Sequence, residues 1–288
     1  MSAKKTADFQ KPFLILNSPS YRAERFIDIN SVVRQNIPST YYVRADYELG
    51  KRLEPNRRLP HSAQFEEFRR RLQSGWTLIS DGTERVCSEI LELSQAIAEA
   101  LGYICRANLY ITPSGVRGFP PHYDAHDVLV LHLHGTKVWK VANEQVRVPR
   151  RNELSPPDLE MDSECQTIFT LRPGDILYIP KGFPHVVDNT SDGVGAQLTF
   201  ACASIHLEDI VLQCIAERLK QSDPYSRNFP YRGSADDLAV ARESILSIAV
   251  PFSDSEIDAA IKKVRRNHSF QMDHHTTQDL LGRTGQGD

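Results

Sequence analysis

The feature that most constrains the fold is a change of rhythm in the middle of the chain. Between Asn108 and Ala201, apolar residues stop recurring at helical spacing and break into short runs separated by glycine and proline. Asn108-Leu109-Tyr110-Ile111 ends at Pro113. Val128–Leu133 is nearly continuous, and Val138–Val141 follows Gly135. Thr167–Leu171 precedes the turn Pro173-Gly174-Asp175, Ile176–Ile179 precedes Pro180-Lys181-Gly182, and Ala196–Ala201 closes the series. Short β-branched and apolar runs bounded by turn residues predict a β-sandwich or barrel. The spacing of Val128–Leu133 and Val138–Val141 predicts a hairpin buried on at least one face. Residues 149–165, with three prolines and several acids, predict a loop.

Helical spacing holds on either side. Residues 62–74 read as a helix, as do residues 84–101, where Val86, Ile90, Leu91, Leu93, Ile97 and Leu101 share a face and Gly102 follows as a stop. Leu207–Leu219 and Leu238–Val250 are amphipathic, and Ser253 with Glu256 forms a capping box ahead of Ile257–Val264. The organisation predicted is an irregular and helical N-terminal region packed on the barrel (1–74), a β core (75–205), a helical segment (206–266) and a flexible tail (267–288) that carries His274-His275.

A chain of 288 residues can bury a core without disulfides or a structural metal, so a metal bound here serves chemistry. The net charge of −3 makes no global case for nucleic acid, and the basic clusters at Arg69-Arg70-Arg71, Arg147 to Arg151 and Lys262 to Arg266 read as solvated faces. Five cysteines with no C-x-x-C pair predict free thiols in a reducing compartment. With no apolar run of membrane length and a polar N-terminus, the expected location is the cytoplasm.

The chemistry concentrates in three places. His122-Tyr123-Asp124 precedes a β run, and on a strand residues i and i+2 share a face. His185 follows the turn after Ile179, and a strand across the barrel can bring it to the same ion. Two histidines and one carboxylate on one face leave three coordination positions open, the arrangement of non-haem Fe(II) oxygenases. Lys137 stands just past Gly135; a cation deep in a barrel needs an anionic partner, and the distal carboxylate of a 2-oxoacid is one. His126 reads as a residue of the pocket mouth, and His132 and His134 share strand parity as core or pocket residues.

On these residues the sequence resembles the JmjC-type cupin oxygenases, in particular their ribosomal oxygenase branch. The stretches that carry the resemblance are Asn108 through Asp124, continuing from Val130 to Trp139, and Pro173 through His185. The resemblance implies a mainly β protein: a double-stranded β-helix with N-terminal helices and a C-terminal helical segment that forms a homodimer. It implies Fe(II) held by His122, Asp124 and His185, with 2-oxoglutarate and O2 as co-substrates. Lys137 would pair with the 5-carboxylate of 2-oxoglutarate, with Asn108 and Thr199 beside it, and Tyr110, Tyr123 and His132 would line the substrate pocket. The activity implied is hydroxylation of an unactivated C–H bond, coupled to decarboxylation of 2-oxoglutarate to succinate.

Two departures bear on the substrate. The family carries Gln where His132 stands, and no winged-helix domain is evident after the helical segment. A ribosomal protein, a peptide natural product and a free amino acid therefore all stay open, with no nucleic-acid or membrane partner expected. Two other classes stay open as well: a Zn or Mn hydrolase or isomerase on a cupin barrel, and a non-catalytic metal- or ligand-binding module.

Overall fold

Ahead of the six runs, three further strands form where periodicity gives no signal: β1 (Phe13–Ile15) and β2 (Thr40–Val43) in the N-terminal region, and β3 (Thr77–Ser80) at the start of the core. The six apolar runs become β4 (Ile104–Thr112), β5 (Asp127–His134), β6 (Lys137–Ala142), β7 (Gln166–Leu171), β8 (Ile176–Ile179) and β10 (Gly195–Ala203), with β9 (His185–Asn189) between the last two. The helices are α1 (Ile29–Gln35), α2 (His61–Gln73), α3 (Ser88–Leu101) and α4 (Leu207–Lys220), and residues 254–266 are also helical. The computed structural model describes residues 10–16, 27–36, 39–44, 61–150, 153–156, 158–220, 239, 241–243 and 251–266. The expected leader, most of the helix expected over Leu238–Val250, and the tail with His274-His275 lie outside the described residues. None of the described helices is long and apolar enough to cross a membrane. Two compact units divide the chain, residues 1–204 and 205–288.

The first unit is built on two antiparallel sheets. One has seven strands in the order β1-β8-β5-β10-β4-β3-β2, the other three in the order β7-β6-β9. Alternation along each strand sorts residues between two cores. Val128, Val130, Leu177 and Ile179 of the large sheet meet Trp139, Val141 and Leu171 of the small one inside the barrel. Leu109, Leu131, Leu198 and Phe200 point the other way, onto Val32 and Val33 of α1, Phe68 of α2 and Ile90 of α3. The result is a double-stranded β-helix whose large sheet is backed by helices.

The hairpin expected from β5 and β6 does not form. β5 pairs with β8 and β10, whereas β6 pairs with β7 and β9 in the other sheet. The chain crosses between sheets at Gly135, where φ is +74°. A side chain there would meet the Val194 carbonyl and the Ser191 hydroxyl, each at 2.8 Å. The helix expected from residue 84 begins only at Ser88. Residues 83–85 form a separate 3-10 turn tied to β4: the Thr83 hydroxyl donates to the Ala107 carbonyl, and the Glu84 carboxylate accepts from the Ala107 amide.

In the second unit the capping box is realised. The Glu256 amide donates to the Ser253 hydroxyl at 3.3 Å, and the Ser253 amide donates to the Glu256 carboxylate at 2.8 Å. The Arg218 guanidinium of α4 clamps the same carboxylate at 2.8 and 3.0 Å, which joins α4 to the 254–266 helix.

Gly135→Ala adds a Cβ to a left-handed residue that is hemmed in by backbone. It is expected to lower stability by about 1–3 kcal/mol, read as a lower urea midpoint with an unchanged slope.

Candidate metal centre

Three ligands from two segments meet at one end of the barrel. His122 and Asp124 lie on the loop before β5, and His185 is the first residue of β9. A pair of backbone hydrogen bonds joins the segments. The His122 amide donates to the His185 carbonyl at 3.1 Å, and the His185 amide donates to the His122 carbonyl at 2.7 Å. The Gly182 amide donates to the Asp124 carbonyl at 2.9 Å, so the turn before β9 also grips the loop. One ligand atom from each of the three residues lies within 4.8 Å of the others, and His185 Nε2 is 3.6 Å from an Asp124 oxygen.

Both imidazoles have their tautomer set by backbone. His122 Nδ1 is 2.9 Å from the Pro120 carbonyl and His185 Nδ1 is 3.0 Å from the Phe183 carbonyl. A carbonyl only accepts, so each Nδ1 carries the proton and each Nε2 keeps a free lone pair, as a metal ligand requires. Burial, reinforced by the neighbouring His122, pushes the His185 imidazole down to about 4, which keeps it neutral at physiological pH. Burial pushes the Asp124 carboxyl up, but His126, His122 and His185 together outweigh it and hold Asp124 ionised. His126 is thus close to the cluster without joining it. The Trp139 ring stacks on His185 at 5.7 Å, and Phe119 stands 5.5 Å from His122.

Behind this cluster the inward faces of three neighbouring strands form a lattice fixed by register. Asn108, Thr199 and Val130 lie in one row across β4, β10 and β5; Tyr110, Gln197 and His132 lie in the next; Thr112 and Gly195 follow. Lys137, 2% exposed, reaches this lattice from β6, and its ammonium donates to the Thr112 hydroxyl at 3.1 Å. Gly195 leaves room for it, since a Cβ there would come within 3.0 Å of Lys137 Cε. Among the described residues no carboxylate pairs with Lys137, and burial pushes its ammonium down to about 7.

Asn108 and Thr199 are thus in the pocket lattice, with their side chains engaged. Asn108 accepts from the Gly82 amide at 3.0 Å, and the Thr199 hydroxyl accepts from Gln197 at 3.2 Å. Tyr110 is partly buried and packs with Tyr41, Val43, Ile79 and Phe119 beside His122. Tyr123 is buried between the two loop ligands, and His132 is fully buried in the lattice. His134 shares the parity of His132 but is exposed, because the register shifts between Ala196 and Gln197 at the strand end. The sequence reading missed Thr112, Gln197 and Trp139. Period-2 alternation held the signal, since Thr112 follows Asn108 and Tyr110 on one face of β4, and Gln197 precedes Thr199 on one face of β10.

Residues 86–208 match the JmjC domain family. Over 111 residues the chain is 36% identical to ribosomal oxygenase 2 of Bos taurus, covering 38% of this chain and 23% of that protein. Over 149 residues it is 30% identical to ribosomal oxygenase 1 of Danio rerio, covering 51% of this chain and 26% of that one. The chain thus spans about a quarter of the length of these relatives. Among solved structures, Escherichia coli ycfD superposes with a TM-score of 0.56 at 18% identity, covering 89% of this chain and 68% of that one. YcfD in complex with cobalt and 2-oxoglutarate gives a TM-score of 0.51 at 18% identity, covering 88% and 66%. These structural likenesses establish the fold.

The Lys137 ammonium has a depressed pKa, so its charge opposes folding. The penalty is full below about pH 7 and fades as pH rises toward the ordinary value of 10.5. Lys137→Met is expected to stabilise the ligand-free protein by a few kcal/mol at pH 6–7, at about 1.4 kcal/mol per pKa unit, with the gain shrinking by pH 10. Urea unfolding of both proteins at pH 6, 8 and 10 checks this.

Proposed function

We propose, on the premise that residues 86–208 are a JmjC domain, that this chain is an Fe(II)- and 2-oxoglutarate-dependent oxygenase that hydroxylates an unactivated C–H bond of an amino-acid side chain in a protein or peptide. The observation that carries the reading is a juxtaposition: a two-histidine, one-carboxylate cluster with its lone pairs prepared, and a buried ammonium with no carboxylate partner among the described residues. The donor set fits a divalent iron with positions left for other ligands. The ammonium fits the distal carboxylate of a 2-oxodicarboxylate.

His122, Asp124 and His185 would hold the iron. Fe(II) with 2-oxoglutarate, when bound, supplies the oxidative chemistry that a protein side chain lacks. The chain's own part is to bind and orient. Lys137 with Thr112 receives the carboxylate, Asn108 and Thr199 line the same pocket, and the Pro120 and Phe183 carbonyls hold the two imidazoles in register. The Trp139 indole stacks on one face of His185. Tyr110 and Tyr123 are the residues assigned to the substrate side, whereas His132, expected there from the sequence, lies in the row next to Thr112 on the Lys137 side. The aromatic wall of Tyr41, Tyr110 and Phe119 supports a side chain inserted beside His122.

A protein substrate is supported by the names of the relatives. A homodimer through the helical segment is supported by Leu207, Val211 and Leu212, which α4 leaves exposed. A cytoplasmic setting is supported by five free thiols. A hydrolase, an isomerase or a non-catalytic module on the same barrel does not by itself call for a 2-oxodicarboxylate opposite Lys137.

Purified protein is expected to release succinate from 2-oxoglutarate only with Fe(II) added, and to fall to background in His122→Ala. Lys137→Met should keep metal binding and raise the KM for 2-oxoglutarate by about 10–100-fold, the worth of a hydrogen bond to a charged group. A thermal shift with metal but no response to 2-oxoglutarate would point instead to the hydrolase or isomerase reading.

A further inference from the structure

Three buried polar atoms inside the barrel have no hydrogen-bond partner among the described residues: Trp139 Nε1, His132 Nδ1 and Gln197 Oε1. Such atoms are uncommon in a folded interior, because each gives up water without replacement. Trp139 stacks on His185 and belongs to the metal end. The other two lie side by side, since His132 and Gln197 are direct partners across β5 and β10, at 0% and 4% exposure.

What each orphan atom can do follows from the other end of its side chain. His132 Nε2 lies 3.1 Å from the Gly135 carbonyl, which only accepts; the proton is therefore on Nε2, and Nδ1 is a lone pair. Burial and the nearby Lys137 push this imidazole down to about 4, so it stays neutral. Gln197 Nε2 donates to Thr199, which leaves Oε1 as an acceptor. Two acceptors thus sit in the row next to Thr112 and Gly195, the two residues that touch Lys137. A carboxylate has no proton to give them. A water molecule has two, and its oxygen can accept from the ammonium, which has donors left after Thr112.

We propose that His132 and Gln197 hold a buried water against Lys137, and that this water sets the depth of the carboxylate subsite so that it selects a five-carbon over a six-carbon 2-oxodicarboxylate. The inference rests on the 2-oxoglutarate reading above. A longer diacid would have to expel the water and leave both acceptors unpaired, whereas the five-carbon acid reaches Lys137 with the water in place.

The test is direct binding of 2-oxoglutarate and of 2-oxoadipate to the Mn(II)-loaded protein, without oxygen, by calorimetry. The natural chain is expected to prefer 2-oxoglutarate by at least about 10-fold, the usual worth of one methylene in a closed pocket. His132→Ala and Gln197→Ala should each cut that preference to about 3-fold or less, whereas His132→Gln, which keeps an acceptor, should retain it. Circular dichroism and Mn(II) affinity establish that each variant is folded. An unchanged preference in both folded alanine variants overturns the inference while leaving the co-substrate intact. Failure of the natural chain to bind 2-oxoglutarate overturns the co-substrate reading itself.

Discussion

The two-way hydrogen bond between the backbones of His122 and His185 holds the centre together. It is a single rung, separate from the strand pairings of either sheet, yet it fixes the loop before β5 to the start of β9. Because it runs between the ligand residues themselves, their side chains start from neighbouring points and converge on a common position. The Gly182 amide on the Asp124 carbonyl prevents the loop from pivoting about that rung. Each imidazole is then braced by a carbonyl two residues earlier in its own segment. The ligand geometry is therefore carried almost entirely by backbone, which makes it insensitive to side-chain rearrangement elsewhere in the barrel.

The pocket behind the ligands follows the opposite logic. It buries an ammonium with a single hydroxyl partner and leaves several polar atoms unpaired among the described residues. Each of these opposes folding, and a barrel evolved for stability alone would fill the same positions with the valine and leucine that occupy the neighbouring rows. Stability withheld in the empty state becomes interaction available to an anion that enters. The apolar contacts of Val128, Val130, Trp139, Val141 and Leu171 must carry that load, which explains why the dry core lies immediately beside the polar one.

Legibility in the sequence followed the strength of local pattern. β4, β5, β8 and β10 are buried strands with alternating or continuous apolar residues, and they stand where the runs place them. β9 was not visible, because it begins on a ligand histidine and ends in Asp188 and Asn189; polar residues at both ends erase its period. β2 and β3 are short, and the contacts that define them are with strands distant in sequence. The metal ligands were legible because their chemistry is rare and their spacing fits one ion. Thr112 and Gln197 were not, since threonine and glutamine are ordinary on exposed strand faces. Only the pairing of β4, β5 and β10 reveals that their face is the inner one.

The misread hairpin shows how fold and site depend on one turn. Had β5 and β6 paired, Lys137 would have faced the same sheet as His132, and no pocket would lie between them. Gly135 instead carries the chain from the large sheet to the small one, so that Lys137 enters the barrel from the opposite wall. The same residue offers its carbonyl to His132 Nε2, and that contact sets which nitrogen of the imidazole keeps its lone pair inside the pocket. A left-handed glycine at the crossover thus fixes the position of the cation and the tautomer of the histidine beside it. Any residue with a side chain there would disturb both at once, because its Cβ would push against the Val194 carbonyl just before Gly195, the residue that makes room for Lys137.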